Sequence, residues 1–230
     1  TRTAERVAGD LDLAENALAS AGDILDQVRS LAVQGANGTL TAADRANIGR
    51  QVGQLRDQVL GLANARGTSG YLFGGTATGA APFDAAGAFV GNDTATTVEI
   101  ADGVTARSNA SGATAFTASA GGRDVLADLA VLATALNTNN LAGINAGLGN
   151  VTTSHQQLVD ARVQTGLRGE QIRSAAAVTS NALLAARIAR GNETAADMPG
   201  ALAELSTAST AYQRGVEVTR QILQTSAIQR

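Results

Sequence analysis

His155 is the one imidazole in 230 residues, and an imidazole is the side chain best suited to moving protons or holding a metal near neutral pH. It has no acidic companion at helical spacing and lies on the apolar side of a helical pattern. It therefore reads as a core or interface histidine that finds a polar partner. Asp93, Glu99 and Asp102 stand close enough in sequence to suggest paired carboxylates for acid–base work. Asp102, however, precedes a glycine in a turn pattern, and Glu99 falls on the solvent side of a strand pattern. Gly70, Gly74, Gly75 and Gly79 miss the G-x-G-x-x-G spacing, and no helix follows to offer its N-terminus to a phosphate.

Absences close most other routes. The chain has no cysteine, which removes thiol nucleophiles and cysteine-ligated metals. All 17 basic residues are arginine, so there is no P-loop or Schiff-base lysine. One histidine cannot build a multi-histidine metal site. No nucleophile, base and orienting group stand together, so no enzyme, metal or cofactor is expected. A net charge of −3 with dispersed arginines gives no footprint for nucleic acid. No apolar run approaches the roughly 20 residues of a membrane helix, and no signal peptide opens the chain. Asn-X-Ser/Thr triplets at Asn37, Asn92, Asn109, Asn150 and Asn192 follow from composition and carry little weight.

The elements that would position any site are mostly helical. Val7, Leu11, Ala14, Leu18, Ala21, Leu25, Val28 and Ala32 form a heptad stripe that predicts a helix over 1–34. Breakers at Gly35, Asn37 and Gly38 end it. Thr41 to Asp44 reads as a cap with an acid at the third helical position. A second stripe follows at Ile48, Val52, Leu55, Val59 and Leu62, so the two helices form an antiparallel hairpin. Val125, Leu126, Leu129, Leu132, Ala133 and Leu136 share another face, and Asn140 is placed to cap a long run over 141–190. Gly166 and Gly169 should bend or pause that run, and 190–200 should interrupt it, with Asp197 as cap and Pro199 in the next first turn. A last stripe comprises Leu202, Leu205, Ala208, Tyr212, Val216 and Leu223. With 48 alanines, these helices approach closely but enclose only a thin core, which favours a slender bundle completed by partner subunits.

Between them the period changes. Alternation through Val98 and Ile100, a turn at Asp102-Gly103, and resumption at Val104 and Ala106 predict a β-hairpin. Phe89-Val90 and Phe116 are candidates for further strands. Five of the six aromatic residues, Tyr71, Phe73, Phe83, Phe89 and Phe116, fall in this region. "GYLFGGTATGAAPF" at 70–83 reads as the exit from a helical rod. Tyr71 and Phe73 would pack at the junction, Gly74 and Gly75 would permit a change of direction, and Pro82-Phe83 would anchor the insert. The expected fold is mainly α with a small β-rich insert. Residues 1–69 and 120–230 would make a discontinuous helical rod, an elongated antiparallel bundle, and 70–119 a β-rich domain projecting from its far end.

Residues 24–64, and "LAVQGANGT" at 31–39 above all, resemble the N-terminal helical hairpin of the flagellin superfamily. The segment 70–83, "IADGVTARSNASGATAFTA" and "ADMPGALAELSTASTAYQRGVEVTRQILQTS" resemble the hook-associated protein 3 family within it, which joins flagellar hook to filament. The resemblance covers essentially the whole chain, and 71–83 separates the junction family from filament flagellin. It implies a structural subunit exported without a cleaved signal peptide to the extracellular flagellum. Its implied partners are further copies in a ring-like tubular layer, hook-associated protein 1, flagellin and an export chaperone. The disordered terminal arms of the family are not matched, so this chain is expected to be a truncated form and monomeric by itself. A filament subunit and an unrelated secreted coiled-coil interaction protein are the alternatives.

On this reading the helix-packing and assembly residues are Val7, Leu11, Leu18, Leu25, Val52, Leu55, Val59, Leu202, Leu205, Tyr212, Val216 and Leu223. A stripe of this kind can pack within the subunit, between subunits, or both.

Overall fold

A computed structural model describes the backbone of residues 2–101 and 103–228, and their side chains apart from residues 101, 104, 120, 193–198 and 222–228. The chain divides into two compact units, Thr1–Ala177 and Val178–Arg230. The fold is mainly helical with two small antiparallel sheets.

In the first unit, α1 (Arg2–Gly35) and α2 (Ala42–Ala63) form the antiparallel hairpin that the stripes predict. Leu18, Leu25 and Val28 of α1 meet Ile48, Val52 and Val59 of α2 in the buried core. Helix α2 starts on a reciprocal cap. Thr41 Oγ1 accepts from the Asp44 N–H at 3.2 Å, and Asp44 Oδ2 accepts from the Thr41 N–H at 3.2 Å, which satisfies two otherwise orphan donors. The Thr41 hydroxyl bond holds the Asp44 carboxyl below its ordinary range.

Two short strands, β1 (Arg66–Gly67) and β2 (Gly70–Tyr71), pair next. Their turn is fastened to α1 by Asp10, whose Oδ1 accepts from the Thr68 N–H at 2.7 Å and from its hydroxyl at 2.8 Å. The hairpin predicted around Asp102-Gly103 forms as β3 (Thr97–Ala101) and β4 (Val104–Arg107), with Gly103 at φ +71°; Asp102 itself lies outside the described residues. Val98, Ile100 and Ala106 pack with Ala8 and Leu11 of α1 and with Ile172. The insert therefore folds back along α1 instead of projecting from the end of the helices. Helix α1 has 34 residues and α2 has 22. At 1.5 Å rise per residue, α2 stops short of the first turns of α1, and the hairpin covers the apolar side chains it leaves bare.

Phe89 makes only an isolated bridge with Phe83, and Phe116 ends a short helix, α3 (Gly112–Phe116), instead of lying in a strand. Ser111 directs this outcome: its hydroxyl accepts from the Thr114 N–H at 3.0 Å and starts a helical turn, a local bond that competes with extension. Helix α4 (Val125–Asn137) is capped by Asp124. Helix α5 (Leu141–Ile228) starts at Asn140, whose Oδ1 accepts from the Gly143 N–H at 3.0 Å. The α4 stripe and Ile144, Val151 and Leu158 of α5 complete the core.

Helix α5 continues through Gly166 and Gly169, so the expected pause is absent. A glycine costs a helix only about 1 kcal/mol against alanine. Gly169 lies beside Leu11 and Gly166 beside Glu15, where the missing side chains let α1 come close. In the second unit, the expected interruption at 190–200 is also absent: Pro199 lies inside α5. The proposed capping side chain of Asp197 lies outside the described residues.

A Cβ on Gly75 would sit 2.0 Å from the Asn92 carbonyl oxygen, and Gly75 holds φ +68°. Gly75→Ala should therefore lower stability by about 2–4 kcal/mol, checked by urea unfolding. Gly79→Ala, where nothing lies within 4 Å, should change it by less than about 0.5 kcal/mol.

Candidate functional site

The sequence-predicted packing residues fall into two groups. Leu11, Leu18, Leu25, Val52 and Val59 are buried in the first unit, while Val7 and Leu55 are partly buried against its clusters. The last stripe is open: Leu202 is 61% exposed, Leu205 68%, Tyr212 75% and Val216 47%. The side chain of Leu223 lies outside the described residues. The α1 and α2 residues of this set are thus buried or partly buried in the first unit, and those of the second unit are exposed.

The junction residues meet around three rings. Phe73 packs edge-on against Phe116 at 5.3 Å between centroids, and Phe83 packs edge-on against Phe116 at 5.6 Å. All three belong to the same core as Val59, Ala63 and Leu126. Asn64, just past α2, clamps Phe83 with two bonds of 3.0 Å, one to its carbonyl and one from its N–H. Gly74 and Pro82 are buried beside them, whereas Tyr71 is half-exposed under the Arg66 guanidinium, 4.3 Å from its ring centroid.

Polar groups complete the frame. Half-buried His155 lies 3.5 Å from Asp26, the polar partner expected of it. Buried Asp128 accepts from Arg123 Nε and Nη2 at 2.6 Å each, from Asn150 at 3.2 Å and from Ser154 at 3.3 Å. Gln157 donates to the carbonyls of Ala115, Thr117 and Arg123. A hollow of about 550 Å³ beside it is lined by Ser111, Thr114, Gln157, Gln164 and Arg168, and the Ser111 hydroxyl there donates to the Asp93 carboxylate. Among the described residues no cluster of His, Asp or Glu could hold a metal ion, and no helix is long and apolar enough to cross a membrane.

Arg45 is the polar residue that the stripes pass over. It is 4% exposed and donates through Nε to the Gly35 carbonyl at 2.8 Å, through Nη2 to the Asn37 carbonyl at 2.7 Å and through Nη1 to Asn139 Oδ1 at 2.5 Å. Its place was detectable: Arg45 stands three residues before Ile48 and seven before Val52, on the core-facing side of α2.

Residues 1–78 match the bacterial flagellin N-terminal helical region. Flagellar hook-associated protein 3 of Salmonella typhimurium is 34% identical over 92 residues, covering 39% of this chain and 29% of that protein. Over that part the chain is similar to hook-associated protein 3. A putative flagellar hook-associated protein from Vibrio parahaemolyticus has the same fold, with a TM-score of 0.70 at 26% identity over 80% of this chain and 86% of that one. FlgL of Xanthomonas campestris superposes with a TM-score of 0.73 at 20% identity, over 83% and 96% of the two chains. The matched part spans less than a third of the Salmonella hook-associated protein 3.

Two substitutions test the polar frame. Arg45→Met keeps the length of the side chain and removes its donors. It should lower stability by about 2–4 kcal/mol in urea unfolding, with Arg45→Lys recovering part of the loss. Asp93 is held below its ordinary value of 3.8 by the Ser111 hydroxyl first, then by Arg107 and Arg168. Because the folded value is the lower one, the ionised carboxylate stabilises the fold above 3.8, and this contribution is lost as pH falls through the folded value. Stability should drop more between about pH 5 and pH 3 in the native chain than in Asp93→Asn.

Proposed function

We propose that this chain is a structural subunit of the bacterial flagellum that forms the junction between hook and filament. It would act as a mechanical adaptor between hook-associated protein 1 and flagellin. The observation that carries the reading is the division of its apolar stripes: those of α1 and α2 stabilise the subunit, and Leu202, Leu205, Tyr212 and Val216 remain exposed. A monomer has no use for such a surface, whereas a polymer subunit docks through it. The kinship with hook-associated protein 3 supports a flagellar structural role. Export without a cleaved signal peptide, an export chaperone and a ring-like layer of copies outside the cell belong to the same proposal. So does the division into a helical rod, 1–69 with 120–230, and an insert at 70–119.

Deleting the gene should abolish motility, with hooks intact and flagellin shed into the medium. Unlimited polymerisation of the purified full-length protein into filaments would instead assign it as a filament subunit. Leu205→Glu in the full-length protein should reduce motility to near the deletion level. Because Leu205 is exposed, unfolding stability should change by less than about 0.5 kcal/mol. Normal swimming by this variant would remove the exposed stripe from the assembly surface.

A further inference from the structure

The loop between α1 and α2 contains the only Asn-Gly pair of the sequence, Asn37-Gly38. We propose that it is a self-modification site, at which the Gly38 backbone nitrogen attacks the Asn37 side-chain amide and releases ammonia. Four features of the loop favour that step. Asn37 and Gly38 are exposed to water. Nothing beyond its chain neighbours lies within 4 Å of where a Gly38 Cβ would be, so no other part of the fold crowds that side of the residue. Among the described residues, the Gly38 N–H has no hydrogen-bond acceptor. The Asn37 side-chain oxygen accepts from the Thr39 N–H at 3.1 Å and from its hydroxyl at 2.9 Å, which keeps the side chain folded over the following backbone.

Two charges in the reaction meet donors already in place. Loss of the Gly38 proton to water or hydroxide leaves an anion shared between that nitrogen and the Asn37 backbone oxygen. Arg45 Nη2 holds this oxygen at 2.7 Å, so the cation makes the nucleophile easier to form. As the N–Cγ bond forms, negative charge develops on Asn37 Oδ1, where both Thr39 donors point. The Cγ–Nδ2 bond then breaks, Nδ2 takes a proton from water, and ammonia departs, leaving a five-membered succinimide. One water opens that ring at either carbonyl, giving aspartate or isoaspartate with no redox change. The product places a carboxylate beside Arg45, and the isoaspartyl form adds a methylene to the backbone of the turn.

The test incubates the full chain at about pH 8 and follows Asn37 by peptide mapping and isoaspartate quantification, with the unfolded peptide 31–43 as reference. The folded chain should convert at least as fast as the peptide; conversion slower by about tenfold or more would overturn the proposal. Thr39→Val should slow the folded chain by about threefold or more and leave a peptide with the same change nearly unaffected. Equal rates with and without Thr39 in the folded chain would also overturn it. Gly38→Ala, which has room for its methyl, should keep the fold by circular dichroism and slow the conversion strongly, and an unchanged rate would rule out attack by that nitrogen.

Discussion

The guanidinium of Arg45 joins the two helical turns on which the first unit depends. Helix α1 ends at Gly35 with no basic residue in its last turn, so the negative end of its dipole has no local counter-charge. Arg45, reaching over from α2, donates to the Gly35 and Asn37 carbonyls and supplies that charge from the next helix. Its third bond goes to Asn139, which holds φ +55° in the turn from α4 to α5. Asparagine tolerates that left-handed conformation better than most residues. One buried cation thus closes both helix–turn–helix connections, and its three oxygen acceptors make burial without a carboxylate partner tenable.

Close helix approach is the second constraint. A Cβ on Gly35 would lie 2.4 Å from Leu136, one on Gly49 2.5 Å from Asn137, and one on Gly147 2.8 Å from Leu132. These contacts bring the end of α1, α2 and the start of α5 against α4, where alanines alone would bury little area. The scarcity of large side chains explains why the aromatic residues gather. Phe73, Phe83 and Phe116 pack in the same core as Val59, Ala63 and Leu126, where α2 ends and α4 begins.

Much of this was legible in the chain. The α1 and α2 stripes, the reciprocal Thr41–Asp44 cap and the hairpin around Gly103 are local patterns, and each forms where its pattern lies. The differences arose where tertiary contacts or competing local bonds decide. Phe116 has the β propensity of an aromatic residue, but the Ser111 hydroxyl turns its segment into a helix. The insert lies along α1 because Val98, Ile100 and Ala106 complete a surface of Ala8, Leu11 and Ile172, residues distant in sequence. Arg45 shows the reverse case: its register on α2 was visible, but the carbonyls that make its burial tolerable belong to two separate turns.

The contrast between the stripes bears on how the two units could differ in function. The apolar stripes of α1 and α2 are covered by neighbours in the same unit, so those helices draw most of their stability from packing rather than propensity. The helix from Val178 onward carries Gly191, Pro199 and Gly215, each unfavourable in a helix interior, while Leu202, Leu205 and Tyr212 face solvent. Its own propensity is therefore modest, and the described residues of its unit supply no covering surface. If the segment docks as proposed, the partner provides both the apolar contact and the stability of the helix. Ordering and assembly would then be one equilibrium, with the cost of ordering set against the area buried. On that proposal the first unit would stay folded without a partner, and dependence on assembly would lie in the second.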